Sequence, residues 1–101
     1  MAIIHVTAEN FDAVIQSAEP VLVDFFATWC GPCKALAPTL EEVAEETGAA
    51  IGKVDVDESP DLAEQFGIMS VPTLMVFQNG KPVETAVGVL PKASILQLLG
   101  R

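Results

Sequence analysis

Trp29, Cys30, Gly31, Pro32, Cys33 and Lys34 form the stretch WCGPCK, which holds both cysteines of the chain, two residues apart. An apolar run, Val21 to Phe26, precedes it and helical spacing follows it, so the pair falls where a strand hands over to a helix. The unpaired N–H groups and positive dipole end of a helix N-terminus both stabilise a thiolate. Cys30 is therefore expected to be the reactive sulfur and the more exposed of the two. Cys33, one helical turn further in, is placed to attack a disulfide formed at Cys30. Pro32 suits a first helical turn, where no N–H partner is needed, and Gly31 leaves no side chain in the way of an incoming disulfide.

Three other readings compete. A structural staple is disfavoured because stabilisation grows with loop length and this loop is very short. Structural zinc wants four ligands, whereas one CxxC and the lone His5 supply at most three. Two reduced, buried and inert cysteines would suit an apolar helical face but leave the Gly31-Pro32 spacer unexplained, and spacing alone leaves that alternative open.

With 101 residues, half of them hydrophobic, the chain has room for one domain spanning residues 1–101 around one modest core. Met1 to Val6 lacks a basic region followed by a long apolar run, and no segment approaches the roughly 20 apolar residues of a membrane span. A soluble protein without an export signal is expected. Two cysteines make a poor disulfide framework, which favours a reducing, cytoplasmic compartment. The net charge of −9 would repel nucleic acid and anionic lipid, so neither is an expected partner. Its acidic side chains, such as Glu41, Glu42, Glu45 and Glu46, read as a solvated helix face, with no metal site.

In chain order, the pattern predicts a strand over Ala2 to Val6, then a helix capped by Thr7 with Phe11, Val14, Ile15 and Ala18 on one face. Val21 to Phe26 is apolar enough for a central strand buried on both faces. A helix follows from Pro32 to Thr47, stopped by Gly48 and kinked at Pro38. Ala50 to Val56 reads as a third strand. Ser59 and Pro60 open a short helix ended by Gly67. Thr73 to Gln78, the turn Asn79-Gly80 and Lys81 to Val89 form a hairpin, with Pro82 marking an edge strand, and a helix from Pro91 to Leu99 closes the chain. Two strand-helix-strand crossovers with a late hairpin imply an α/β fold with a mixed sheet.

Asp24 stands out inside VLVDFF. Burial would raise its pKa unless it is paired, and a raised carboxylate could accept a proton during thiol chemistry. An exposed or salt-bridged aspartate is the alternative. Lys53, in the third strand, is open between a solvent-facing charge and a partner for Asp24.

Over essentially its whole length the chain resembles the thioredoxin family, through FFATWCGPCK, Asp24, Pro38, Lys53, Val71-Pro72-Thr73 and Gly88. The resemblance implies a thioredoxin fold, a five-stranded mixed sheet flanked by four helices, with a cis peptide between Val71 and Pro72. It also implies catalytic roles for Cys30, Cys33, Asp24 and Lys53, and a substrate surface of Trp29, Val71, Pro72 and Gly88. Phe26 is a departure, since many bacterial members carry a second tryptophan there, and Met69 and Ser70 occupy positions that vary within the family. Relatives that oxidise or isomerise disulfides usually carry a histidine in the spacer, where this chain has Gly31 and Pro32.

The expected function is protein-disulfide reduction, an oxidoreductase activity in electron transport and cell redox homeostasis. Cys30 attacks, Cys33 resolves, and no cofactor is bound beyond the Cys30–Cys33 redox disulfide. A thioredoxin reductase carrying flavin and using NADPH would reset a monomeric protein whose other partners are disulfide-containing proteins. An oxidase or isomerase of the same fold, or a non-enzymatic docking module, are the rivals.

Overall fold

A computed structural model describes residues 3–101. Its elements run β1 (Ile3–Val6), α1 (Phe11–Ile15), β2 (Val21–Phe26), α2 (Gly31–Thr47), β3 (Ile51–Asp55), α3 (Pro60–Gln65), β4 (Thr73–Gln78), β5 (Lys81–Val87) and α4 (Lys92–Leu98). They build a five-stranded sheet in the order β1-β3-β2-β4-β5, parallel across the first three strands and antiparallel across the last two pairings.

The centre of that sheet is β2, in which Val21 to Phe25 are all buried. Side chains alternate along a strand, so this run feeds two cores. Val21, Val23 and Phe25 pack with Phe11, Ile15, Leu62 and Phe77 beneath α1 and α3. Leu22 points the other way, joining Leu36, Leu40 and Val43 of α2 and Ile95 of α4. Helices therefore cover both faces.

Several local expectations shift. The first helix begins at Phe11 and ends before Ala18, because Thr7 opens a turn instead: its carbonyl accepts from the Asn10 and Phe11 N–H groups, and the Asn10 carboxamide accepts from its own N–H. The predicted first strand includes Ala2, which lies outside the described residues. Pro38 does not interrupt α2, since it removes one backbone hydrogen bond while Leu36, Leu40, Val43 and Ala44 anchor the helix on either side. Ser59 precedes α3 without a side-chain capping bond. The hairpin falls where predicted, with both Asn79 and Gly80 at positive φ, and β5 is the edge strand that Pro82 implied.

Gly52 shows how tightly the sheet is packed under α1. A Cβ at this position would stand 2.9 Å from Cγ2 of Val6 and 3.6 Å from Cγ1 of Val14. Val6 is fully buried and cannot swing into solvent. Gly52→Val should therefore cost about 1 to 3 kcal/mol through overpacking. Urea denaturation followed by circular dichroism should show a lowered midpoint, with the folded spectrum unchanged.

Candidate redox site

The site lies at the carboxyl ends of the parallel strands β2 and β3, where loops from several elements meet. After Phe26 the chain turns through Ala27, whose carbonyl accepts from the Cys30 N–H at 3.2 Å. Cys30 is the N-cap of α2 in extended conformation, Gly31 and Pro32 form the first helical positions, and Cys33 follows. The two cysteines are joined in a disulfide, their Cα atoms 5.3 Å apart. The Cys33 backbone N–H donates to Cys30 Sγ at 3.1 Å. This is the capping role usually taken by a serine or aspartate oxygen.

The expected contrast in exposure is absent, since Cys30 and Cys33 are each only 3% exposed. Both pack with Ala27 in a small cluster flanked by Phe26, Val56 and Val71. Their difference is one of position. Cys30 lines an open groove of about 510 Å³ together with Trp29, Pro32, Ile68, Met69 and Val71, whereas Cys33 forms no part of its lining. Cys30 Sγ also lies 3.7 Å from the Val71 carbonyl oxygen.

Among the other predicted site residues, Trp29 is 70% exposed and forms one wall of the groove, and Val71 forms part of the opposite wall. The Val71–Pro72 peptide is cis. Pro72 is buried and does not line the groove. Gly88 does not line it either; its N–H donates to the Pro72 carbonyl at 2.9 Å, tying the end of β5 behind the Val71 loop. A second tie comes from Thr73, whose hydroxyl donates to the Ser70 carbonyl at 2.7 Å.

Sequence reasoning missed Asp57. Its carboxylate accepts from the Trp29 indole N–H at 2.9 Å, although the two residues are 28 positions apart. The turn that presents it is built by Asp55, whose Oδ1 accepts from the Asp57 and Glu58 N–H groups at 2.9 and 3.3 Å. The sequence reading ran the third strand on to Val56 and carried no sign of this turn or of its distant partner. His5 is engaged elsewhere, with its Nε2 2.6 Å from Glu58 Oε1. Among the described residues no group of three His, Cys, Asp or Glu side chains could hold a metal ion, and no helix is long and apolar enough to cross a membrane.

Asp24 is fully buried on the α2 face of β2, the face that Leu22 shares. Neither carboxylate oxygen has a hydrogen-bond partner among the described residues. Lys53, its register neighbour on β3, brings Nζ to 3.9 Å, beyond hydrogen-bond reach, while that ammonium also sits 4.6 Å from the centre of the Phe26 ring. Both roles left open for Lys53 are thus partly met: it approaches Asp24 and keeps a quarter of its side chain in solvent. Burial raises the Asp24 pKa from 3.8 to about 6, with the Lys53 charge opposing.

Because the folded pKa is the higher one, the neutral carboxyl stabilises the fold fully below pH 3.8, and that contribution is lost as pH rises through about 6. At pH 7 the ionised group is a liability of about 3 kcal/mol, which the nearby ammonium of Lys53 makes it harder to recover by substitution. Asp24→Asn should accordingly stabilise the protein by about 1 to 3 kcal/mol at pH 7 and flatten the fall in stability between pH 4 and 6. Denaturant titrations across that range measure both effects.

The family model described as Thioredoxin matches residues 2–101. A thioredoxin of Staphylococcus haemolyticus is 52% identical over all of this chain and 98% of its own length, and one of Staphylococcus aureus is 50% identical over the same shares. The solved structure of a mutant thioredoxin from Halobacterium salinarum superposes with a TM-score of 0.91 at 41% identity, covering 96% of this chain and 87% of that one. With a cysteine disulfide at the start of α2 and these full-length matches, the chain belongs to the thioredoxin family of thiol-disulfide oxidoreductases.

Proposed function

We propose that the protein is a general protein-disulfide reductase, acting as a single domain over residues 1–101, in which Cys30 attacks and Cys33 resolves. The observation that carries this assignment of roles is positional: Cys30 lines the groove and accepts the Cys33 N–H, while Cys33 lies outside the groove lining. In the reduced protein that N–H and the start of α2 stabilise negative charge on Cys30. The Cys30 thiolate attacks one sulfur of a substrate disulfide, forming a mixed disulfide and releasing the other substrate sulfur as a thiolate. Cys33, deprotonated, then attacks Cys30 Sγ. The Cys30–Cys33 disulfide forms, the second substrate sulfur leaves, and two electrons have passed to the substrate.

Asp24 takes up the Cys33 proton, directly or through a water, and Lys53 tunes the carboxylate. A pKa of about 6 suits that task, since the group is largely ionised at neutral pH yet close enough in basicity to take up a proton. Trp29 and Val71 make the walls against which the substrate lies. Pro72 and Gly88 support the second wall from behind through their backbone hydrogen bond. The Gly31-Pro32 spacer, free of a histidine, favours reduction over oxidation or isomerisation.

The cycle closes when a thioredoxin reductase returns two electrons, drawn from NADPH through its flavin; the chain itself binds neither. The protein works as a monomer in the cytoplasm, on disulfide-containing proteins and not on nucleic acid or membranes, in keeping with its net charge of −9.

Three measurements test this. NADPH-linked turnover of a disulfide protein in the presence of a reductase should be readily detected, and its absence would remove the reductase assignment. Cys33→Ser should accumulate a mixed disulfide with substrate, and Cys30→Ser almost none; equal trapping by both would reverse or erase the order of attack. Asp24→Asn should slow turnover at neutral pH on the order of tenfold or more, while its folded spectrum stays that of the parent.

A further inference from the structure

Among the described residues Met69 is the most exposed of the large hydrophobic side chains, with 94% of its surface in contact with solvent. It stands on the loop between α3 and β4, and it lines two adjoining depressions. One is the groove of about 510 Å³ that Cys30 and Trp29 share; the other, of about 150 Å³, runs past Met75 and Thr85 to Val87 on the edge strand. Ile68 and Ser70 also border both, so the Met69 loop is a ridge within one extended apolar surface. A protein lying over Cys30 must cover this ridge, and removing an apolar methionine side chain from water favours that docking.

The same thioether is open to oxidants. Met75, the other methionine among the described residues, is only 6% exposed. In the disulfide state both cysteine sulfurs are already oxidised and nearly buried, so Met69 is the accessible divalent sulfur at the groove. A peroxide can transfer one oxygen atom to it: the sulfur lone pair attacks the peroxide, the O–O bond breaks, methionine becomes its sulfoxide, and water leaves. The thioether is oxidised by two electrons and the peroxide is reduced by two. The product is a polar, hydrogen-bond-accepting group where an apolar one stood.

We propose that Met69 is an oxidation-sensitive anchor for apolar segments of protein substrates, and that its conversion to the sulfoxide by peroxide weakens protein docking without disabling the cysteine pair. This rests on the dithiol exchange proposed above and adds a specificity-determining residue and a modification site to it. Met69 contacts neither sulfur through a hydrogen bond and belongs to no ion pair, so its oxidation leaves the Cys33 N–H to Cys30 Sγ contact in place. A small disulfide that reaches Cys30 without spanning the ridge has nothing to lose.

The test begins with the disulfide form treated with hydrogen peroxide, followed by peptide mass mapping. The first added oxygen should fall on the peptide carrying Met69. After reduction with dithiothreitol, single-turnover rates are compared for insulin, a protein disulfide, and for dithiobis(nitrobenzoate), a small one. The expected result is a loss on the order of tenfold with insulin and less than about twofold with the small disulfide. Met69→Leu should show no peroxide-dependent loss relative to its own untreated rate, and Met69→Gln should reproduce the insulin defect without peroxide. Oxygen mapped first to another residue, a sulfoxide form with the full insulin rate, or the same loss in treated Met69→Leu would each overturn the proposal. An equal loss on both substrates would also overturn it, by placing the damage at the cysteines, while leaving the reductase reading intact. Untreated protein that reduces neither substrate would remove both.

Discussion

A strand buried on both faces has no solvent side on which to place a charge, and β2 is such a strand. Its alternation decides which core each residue enters, so Leu22 and Asp24 face α2 while Val21, Val23 and Phe25 face α1 and α3. A slip of one residue would carry Asp24 into the cluster of Phe11, Phe66 and Phe77 rings. The register therefore holds the carboxylate beside Lys53, beneath the helix that begins at the cysteines. Fold and chemistry depend on the same strand: its centre organises two cores, and its end delivers Cys30 to the N-cap of α2.

Around that end the backbone is held by connections from distant parts of the chain. The Val56 N–H donates to the Phe26 carbonyl at 2.9 Å, the Gly88 N–H holds Pro72, and Asp57 holds Trp29. Each is a single hydrogen bond worth only about 1 kcal/mol net. Together they hold the walls of the groove, which matters for the attack proposed for Cys30, because a disulfide would have to reach its Sγ along a defined line. The burial of both sulfurs has a related effect. Cys30 opens onto the groove, so a protein chain laid over that sulfur also meets the apolar surface beside it.

In the proton-acceptor role proposed for it, Asp24 sets stability against reactivity. With no hydrogen-bond partner among the described residues, this aspartate costs the fold whenever it is ionised, and replacing it by an uncharged group relieves that cost. A group of ordinary carboxylate pKa would be the easier one to accommodate and the poorer proton acceptor. Destabilisation of the charged form and basicity near neutrality are two expressions of the same desolvation. Lys53 moderates both without abolishing either, since its ammonium stops 3.9 Å short and is shared with Phe26 and solvent.

Much of this could be read from the residues themselves. WCGPCK after an apolar strand placed the sulfurs at a helix start, Asn79-Gly80 marked the hairpin, Pro82 marked the edge strand, and a lone aspartate in VLVDFF stood out, with burial and exposure both open. These are local signals: backbone conformational preference, capping and side-chain alternation act over a few residues and leave their pattern in a short string. Other features depend on which distant segments meet. The Thr7 helix start failed because a turn tied by Asn10 competed for the same backbone groups, and α2 runs on through Pro38 because packing on either side outweighs one lost backbone hydrogen bond. The equal burial of the two cysteines, the absence of Pro72 and Gly88 from the groove lining, the bond from Trp29 to Asp57 and the exposure of Met69 all follow from loops converging at one end of the sheet. Short-range chemistry was written in the string; distances between residues far apart in it were set only when the sheet and its two helical layers closed.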